Sequence, residues 1–320
     1  QGQKGQTVRP VHGSAIRFID VALPADTTAL LVYHKNLFLP PDTVEMVRRD
    51  SVWTTSLTIQ DTSVKMLLYA VVPEGEKINK NEWKDLIFYN SRNKPVTGAH
   101  QARGLSYTGA GNIREENLKA AVESAWQETK LFPMNLDAQL FLFSLIMRIR
   151  DSDENGASTI IETTERILAK KNRNKQALSF AVKAFRIAGE MRRAQKLEEE
   201  LIELDPGGEA AAGRAFQEAM TDEESEERVR SLEQFMNRYD ETSYAEPALA
   251  ALATAQIELN DTASVMSTGE KLYESGQGVA AAGGLAGIAG MLSGYNKELP
   301  LALRFAKKAV SLIENAPPAL

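Results

Sequence analysis

The chain of 320 residues is 43% hydrophobic and 25% charged, a composition that fits a folded globular protein and excludes both a disordered chain and a small disulfide-stapled scaffold. It contains no cysteine, which removes disulfides, thiolate metal sites and cysteine nucleophiles. The 37 basic and 43 acidic residues give a net charge of −6, and no apolar run reaches the roughly 20 residues that a membrane-spanning helix needs.

Charge is divided unevenly. Residues 1–108 carry 13 Lys and Arg against 10 Asp and Glu, net +3, which leaves 24 against 33, net −9, for the remainder. The first part also carries the strand signals: short β-branched or aromatic runs at 15–23, 30–33, 44–47, 51–59, 64–72, 86–89 and 102–107, broken by turn-formers such as Pro40, Pro41, Asn90 and Asn93. Within 51–59, Trp53, Thr55, Leu57 and Ile59 share one side of an extended chain, the period of a half-buried strand. The run 64–72 is apolar on both sides apart from Lys65 and reads as a central strand. Seven short strands in this length predict an immunoglobulin-like β-sandwich over 1–108.

After a linker expected at 109–114, the period becomes helical. Helices are predicted at 115–131, 136–150, 158–171, 175–188, 191–204, 209–220, 223–238, 245–259, 263–274, 279–293 and 300–314. Leu131, Ala169, Leu204, Arg238, Leu272 and Ile313, near the ends of alternate helices, are 38, 35, 34, 34 and 41 residues apart, a spacing that suits stacked helical hairpins. Between Leu178 and Pro206 the chain resembles a tetratricopeptide repeat: Leu178, Phe185 and Gly189 fit its first helix and turn, Ala194 its close helix contact and Pro206 its terminator. Val182 and Leu201 are bulkier than that pattern favours. Ala302, Ala306 and Ala309 form a second partial match. The fold class expected is a β-sandwich followed by an all-α tetratricopeptide-like array over 115–320.

Candidates for chemistry are few. The three histidines, His12, His34 and His100, lie far apart in sequence and form neither a ligand spacing nor a triad, so they receive no role. The segment Thr221 to Glu224 has the form of a helix capping box. Asp151, Asp153, Asn155, Ala157, Thr159 and Glu162, with Gly156 at the turn, satisfy the spacing of an EF-hand calcium loop. A polar hairpin loop with ordinary capping residues competes with that reading, and no second loop pairs with it. Residues 278–290 are Gly- and Ala-rich, and four helix-interior glycines there, Gly283, Gly284, Gly287 and Gly290, predict a tightly packed repeat helix, because each costs a helix interior about 0.8–1.0 kcal/mol. Arg148 with Arg150, and the basic run 170–175, read as exposed helix faces, and the acidic helical part argues against nucleic acid as a partner. Trp53, Trp83 and Tyr89 offer stacking faces for carbohydrate, with core packing as the competing reading.

Residues 78–81 (INKN), 86–89 (LIFY) and 93–99 (NKPVTGA), with helical repeats behind them, resemble the end of the N-terminal sandwich in multidomain bacterial envelope proteins of the thioredoxin-like class. In that class a helical repeat region follows and a thioredoxin domain comes last. The resemblance implies a periplasmic or cell-envelope location and a thioredoxin-like domain that is either separate or omitted. Gln1 fits the residue left after signal-peptide removal, and equally an artificial boundary. The chain departs from the class in having no cysteine pair and no βαβ segment after the repeats. No polar capping helix is evident after the last predicted one, so a further domain or a partner is expected there. The function expected is a noncatalytic adaptor for protein or peptide partners, without membrane insertion and with no cofactor beyond the calcium candidate. The alternatives are an accessory region of a thioredoxin-like disulfide oxidoreductase and a carbohydrate-binding sandwich.

Overall fold

The computed structural model describes residues 9–20, 23, 27–149, 154–276, 279–294 and 298–314. The chain divides into two compact units, one built on Gln1–Thr164 and taking in Lys183–Gly189, the other on Glu165–Val182 and Glu190–Pro317.

Among the described residues of the first unit, seven strands form a two-sheet sandwich: β1 (Ala15–Asp20), β2 (Ala29–His34), β3 (Asp42–Glu45), β4 (Val47–Arg49), β5 (Val52–Thr58), β6 (Met66–Pro73) and β7 (Lys84–Ile87). The sheets are antiparallel, with orders β1-β5-β4 and β3-β2-β6-β7. The run expected at 44–47 is two strands. Met46 is buried and donates its amide to the Ala29 carbonyl at 2.9 Å, and the chain crosses there from one sheet to the other. Ile16, Phe18, Leu31, Trp53 and Leu67 meet between the sheets. On the opposite face of β6, Met66, Leu68, Ala70 and Val72 pack with Ala99, Ala102 and Leu105 from helix α1 (Ala99–Ser106). The central strand is apolar on both sides because both its faces are covered.

Helix α1 replaces the seventh strand expected at 102–107. Gly98, at φ 87°, turns the chain, and Ala99, Ala102 and Leu105 then recur at a spacing that only a helix brings onto one face. The expected linker is also bound to the sandwich. It contains a 3-10 turn at Ala110–Asn112, and Arg114 Nη1 lies 3.2 Å from Asp85 Oδ2 on β7 while Nη2 donates to the Trp83 carbonyl at 2.5 Å. The compact unit continues through α2 (Leu118–Leu131) and α3 (Leu136–Ile149), and α2 packs against both α1 and α3. Asn117 Oδ1 accepts the Ala120 amide at 3.1 Å, which starts α2 at 118 rather than 115.

The remaining helices match the expected series: α4 (Glu154–Lys170), α5 (Lys175–Ile187), α6 (Met191–Leu204), α7 (Glu209–Thr221), α8 (Ser225–Tyr239), α9 (Ala245–Glu258), α10 (Thr262–Ser275), α11 (Val279–Gly294) and α12 (Leu299–Glu314). In the second unit α6 to α12 pack successively, and α9 also touches α11, the contact between alternate helices that a repeat array makes. Ala211, Leu232, Phe235 and Leu252 form one core, and Leu249, Val265, Leu285, Ile288 and Phe305 form the next. Leu178, Val182, Phe185, Ala194 and Leu201 are all buried, and Gly189 takes φ 78° between α5 and α6. Ala302 and Ala309 are buried within the array, as their spacing predicts, and Ala306 is half-buried.

Two helix readings change. Thr221 closes α7 and donates to the Glu218 carbonyl at 2.7 Å, while Glu224 is the N-cap of α8 without a side-chain bond, so no capping box forms. Asp222 instead accepts the Ser231 hydroxyl at 2.6 Å. Of the five glycines in α11, Gly284 alone is at a close contact: a Cβ there would lie 3.0 Å from Ala250 Cβ and from Leu272 Cδ1. Gly283, Gly287 and Gly290 are exposed, with open space where a Cβ would stand, so tight packing is not what places them.

Candidate functional site

A cleft of about 500 Å³ opens in the first unit, within the size range of ligand-binding pockets. Its sheet side is formed by the β2–β3 connection and the start of β6, and its other walls by α1 and α3.

The β2–β3 connection turns tightly because Asn36 Oδ1 accepts the Phe38 amide at 3.1 Å, a local side-chain turn. Leu37 is thereby buried and Phe38 left 51% exposed at the mouth. His34 Nδ1 lies 3.0 Å from the Leu39 carbonyl and closes the loop from inside. Burial holds the His34 pKa below that of a free imidazole, against the opposing pull of that carbonyl, so the ring is neutral near pH 7. Lys35 pairs with Asp42 at 2.8 Å across the base of the loop, and that hydrogen bond raises the lysine pKa.

The turn before β6 is organised by Asp61, whose Oδ1 accepts the Ser63 amide at 2.8 Å. Bonds from Ser63 hold the Asp61 carboxyl below its ordinary pKa. Lys65 follows, and its Nζ donates to the Thr62 carbonyl at 2.7 Å. From α1 the cleft receives Gln101, Ala102 and Leu105, and from α3 it receives Asn135, Asp137, Leu140 and Phe141. Phe141 reaches the α1 backbone because position 104 is glycine: a Cβ there would come within 2.9 Å of its ring.

Both helical walls are fastened to one carboxylate. Glu128 on α2 is fully buried; its Oε1 accepts the Gly98 amide at 2.6 Å and Asn135 Nδ2 at 3.0 Å, and its Oε2 accepts the His100 amide at 3.1 Å. It therefore caps the start of α1 from another helix, where a negative charge is favoured. Asn135 in turn caps α3, its Oδ1 accepting the Ala138 amide at 3.2 Å. On the far side of α1, Asp85 lies 2.7 Å from Arg103 Nε and accepts the Tyr107 hydroxyl at 3.0 Å, which fixes the helix to β7.

The histidines are apart, as their sequence positions imply. His12 Nε2 lies 2.7 Å from the Val64 carbonyl and its ring stacks on Phe88 at 4.3 Å, His34 lines the cleft, and burial lowers the pKa of His100 on α1. Trp53 and Trp83 are buried and Tyr89 is half-buried, so the first two present no open stacking face for a sugar. Of the calcium candidates, Asp151 and Asp153 lie outside the described residues. Asn155, Ala157, Thr159 and Glu162 are in α4, where the Thr159 hydroxyl donates to the Asn155 carbonyl at 2.9 Å. Helical backbone turns the Ala157 carbonyl along the helix axis rather than into a loop. Among the described residues no three His, Cys, Asp or Glu side chains group to hold a metal, and no helix is long and apolar enough to cross a membrane. Arg150 is also outside the described residues, while Arg148 pairs with Glu116 at 2.5 Å, and Arg173 and Lys175 pair with Glu200 and Asp205.

No protein-family model matches the chain, and neither does any curated protein.

The cleft residues themselves carried no sequence motif. The signal that identifies Glu128 is its phase: it falls on the buried stripe of α2 with Ala121, Ser124 and Ala125, an acid where the pattern calls for an apolar residue.

Proposed function

We propose that this protein is a noncatalytic adaptor of the bacterial cell envelope that binds an extended peptide segment of a partner protein through the cleft of its first unit. The observation that carries this reading is how the cleft divides its labour. Its apolar surface, from Phe38, Leu105, Leu140 and Phe141, is open to a ligand, whereas His34, Lys35 and Asn135 are engaged in holding the walls. A bulky side chain moved from water into such a cleft gains about 1.5–3 kcal/mol. The location rests on the resemblance of residues 78–99 to envelope sandwiches. Part of that segment, 93–99, leads into α1 and contributes Thr97 and Gly98 to the cleft.

The test is to pan a random linear peptide library over the whole chain, synthesise the enriched peptides and titrate them calorimetrically. Leu140→Trp, which puts a bulky indole where a leucine side chain stood in the cleft, is expected to weaken binding at least tenfold, and Phe38→Ala to weaken it severalfold. Enriched peptides that bind both variants as tightly as the parent would overturn the cleft as the site, and a library with no enrichment would overturn peptide binding.

A further inference from the structure

The rim of the cleft carries an uneven charge. Lys35 is neutralised by Asp42 at 2.8 Å. Asp137 lies in the first turn of α3, where the positive end of the helix compensates an acid. Asp61 is outside the lining and accepts the Ser63 amide. Lys65 differs from these: its ammonium makes one hydrogen bond, to the Thr62 carbonyl, and no ion pair within 4 Å among the described residues, while the Asp61 carboxylate acts on it only through space. An ammonium has three donors, so two remain for a ligand. Met66, the next residue, also lines the cleft, which sets this cation directly beside apolar surface.

We infer that the cleft selects peptide segments in which a bulky apolar residue stands next to Asp or Glu, the side chain filling the space between α1 and α3 and the carboxylate pairing with Lys65. This rests on the peptide-binding reading above and adds the partner's chemistry to it. A partly exposed ion pair is worth up to about 1 kcal/mol, or about fivefold in affinity, and salt screens it. Lys65 is therefore a specificity determinant, with the apolar contact supplying the larger share of affinity.

The same library, panned in parallel on the parent, Lys65→Gln, Lys65→Glu and Leu140→Trp, tests it. The parent pool is expected to be enriched about fivefold in Asp and Glu beside an aromatic or large aliphatic residue. The Lys65→Gln pool should lose the acidic preference and keep the apolar one, and the Lys65→Glu pool should exchange it for Lys and Arg. Peptides from the parent pool should bind Lys65→Gln about fivefold more weakly at low salt, with the difference shrinking as salt is raised. Identical pools from the parent and both Lys65 variants, all abolished by Leu140→Trp, would overturn the acidic preference and leave peptide binding standing. Pools that Leu140→Trp leaves unchanged would overturn both.

Discussion

Glu128 Oε1 accepts the Gly98 amide at 2.6 Å, so a carboxylate on α2 serves as the N-cap of α1, whose own cap residue has no side chain. Asn135 Nδ2 reaches the same oxygen from the start of α3 at 3.0 Å, and thus one buried group sets the distance between the two helical walls of the cleft. Replacing it by alanine leaves two amides and an Asn donor without a partner in a dry site. Glu128→Ala is expected to destabilise the first unit by about 3 kcal/mol, and Glu128→Gln by less, because the amide oxygen can still accept from Gly98 and Asn135. Trp53, Trp83 and Trp126, the three tryptophans of the chain, all belong to the first unit, so urea unfolding followed by tryptophan fluorescence reads this unit separately. An unchanged midpoint for Glu128→Ala would contradict the assignment.

Asp85 makes the second attachment of α1. It faces Arg103 at 2.7 Å and Arg114 at 3.2 Å, accepts from Tyr107, and has a side chain only 10% exposed. Asp85→Asn removes one charge and leaves two guanidinium groups partly buried without their counter-ion, a change worth about 3 kcal/mol. The same fluorescence measurement checks it, and Arg114→Lys should lose part of that amount because an ammonium cannot reach Asp85, Ser106 and the Trp83 carbonyl together.

Stability of the first unit is expected to fall as pH drops below about 6.5. Burial is the leading cause that lowers the pKa of both His34 and His100, so between their folded and unfolded values the unfolded chain binds more protons. Stability is then fully present above the unfolded value and is lost as pH falls through the folded ones. Asp61 and Glu82, whose pKa values are lowered by hydrogen bonds from Ser63 and Asn79, act in a separate window below about 4.5. A His34→Gln, His100→Gln double variant should flatten the slope of the urea midpoint between pH 7 and 5. A slope equal to that of the parent would place the titrating groups elsewhere.

The sandwich and the helix array were legible because burial imposes a period. The two-sided apolar character of 64–72 marks β6 as covered on both faces, and the helices expected from 136 onward coincide with the observed ones to within a few residues. Helix α1 reads as a strand in the sequence because residues 102–107 contain Leu105 and Tyr107 at strand-like spacing, and because its cap comes from Glu128, 30 residues away from Gly98. Helix α4 starts at Glu154, inside the segment whose acidic spacing resembles a calcium loop. The cleft was not legible at all, since its lining joins residues 34–38, 63–66, 97–105 and 135–141, which only the packing of α1 and α3 brings together.

The glycines of the second unit divide by what a methyl group would meet. At Gly269 a Cβ would lie 2.7 Å from Cε2 and 2.8 Å from Cζ of the fully buried Phe305, whose ring fills the core between α10 and α12. Gly269→Ala forces that ring to move and is expected to destabilise the second unit by about 1–3 kcal/mol. At Gly287, exposed in the interior of α11, nothing lies within 4 Å, so Gly287→Ala removes backbone freedom from the unfolded chain without a steric cost and should add about 0.8–1 kcal/mol. Thermal unfolding followed by far-ultraviolet circular dichroism reads both, because the helices dominate that signal. A gain at Gly269 would mean that the Phe305 ring has room to shift, and a loss at Gly287 would mean that the bare face of α11 is covered by something a methyl group displaces.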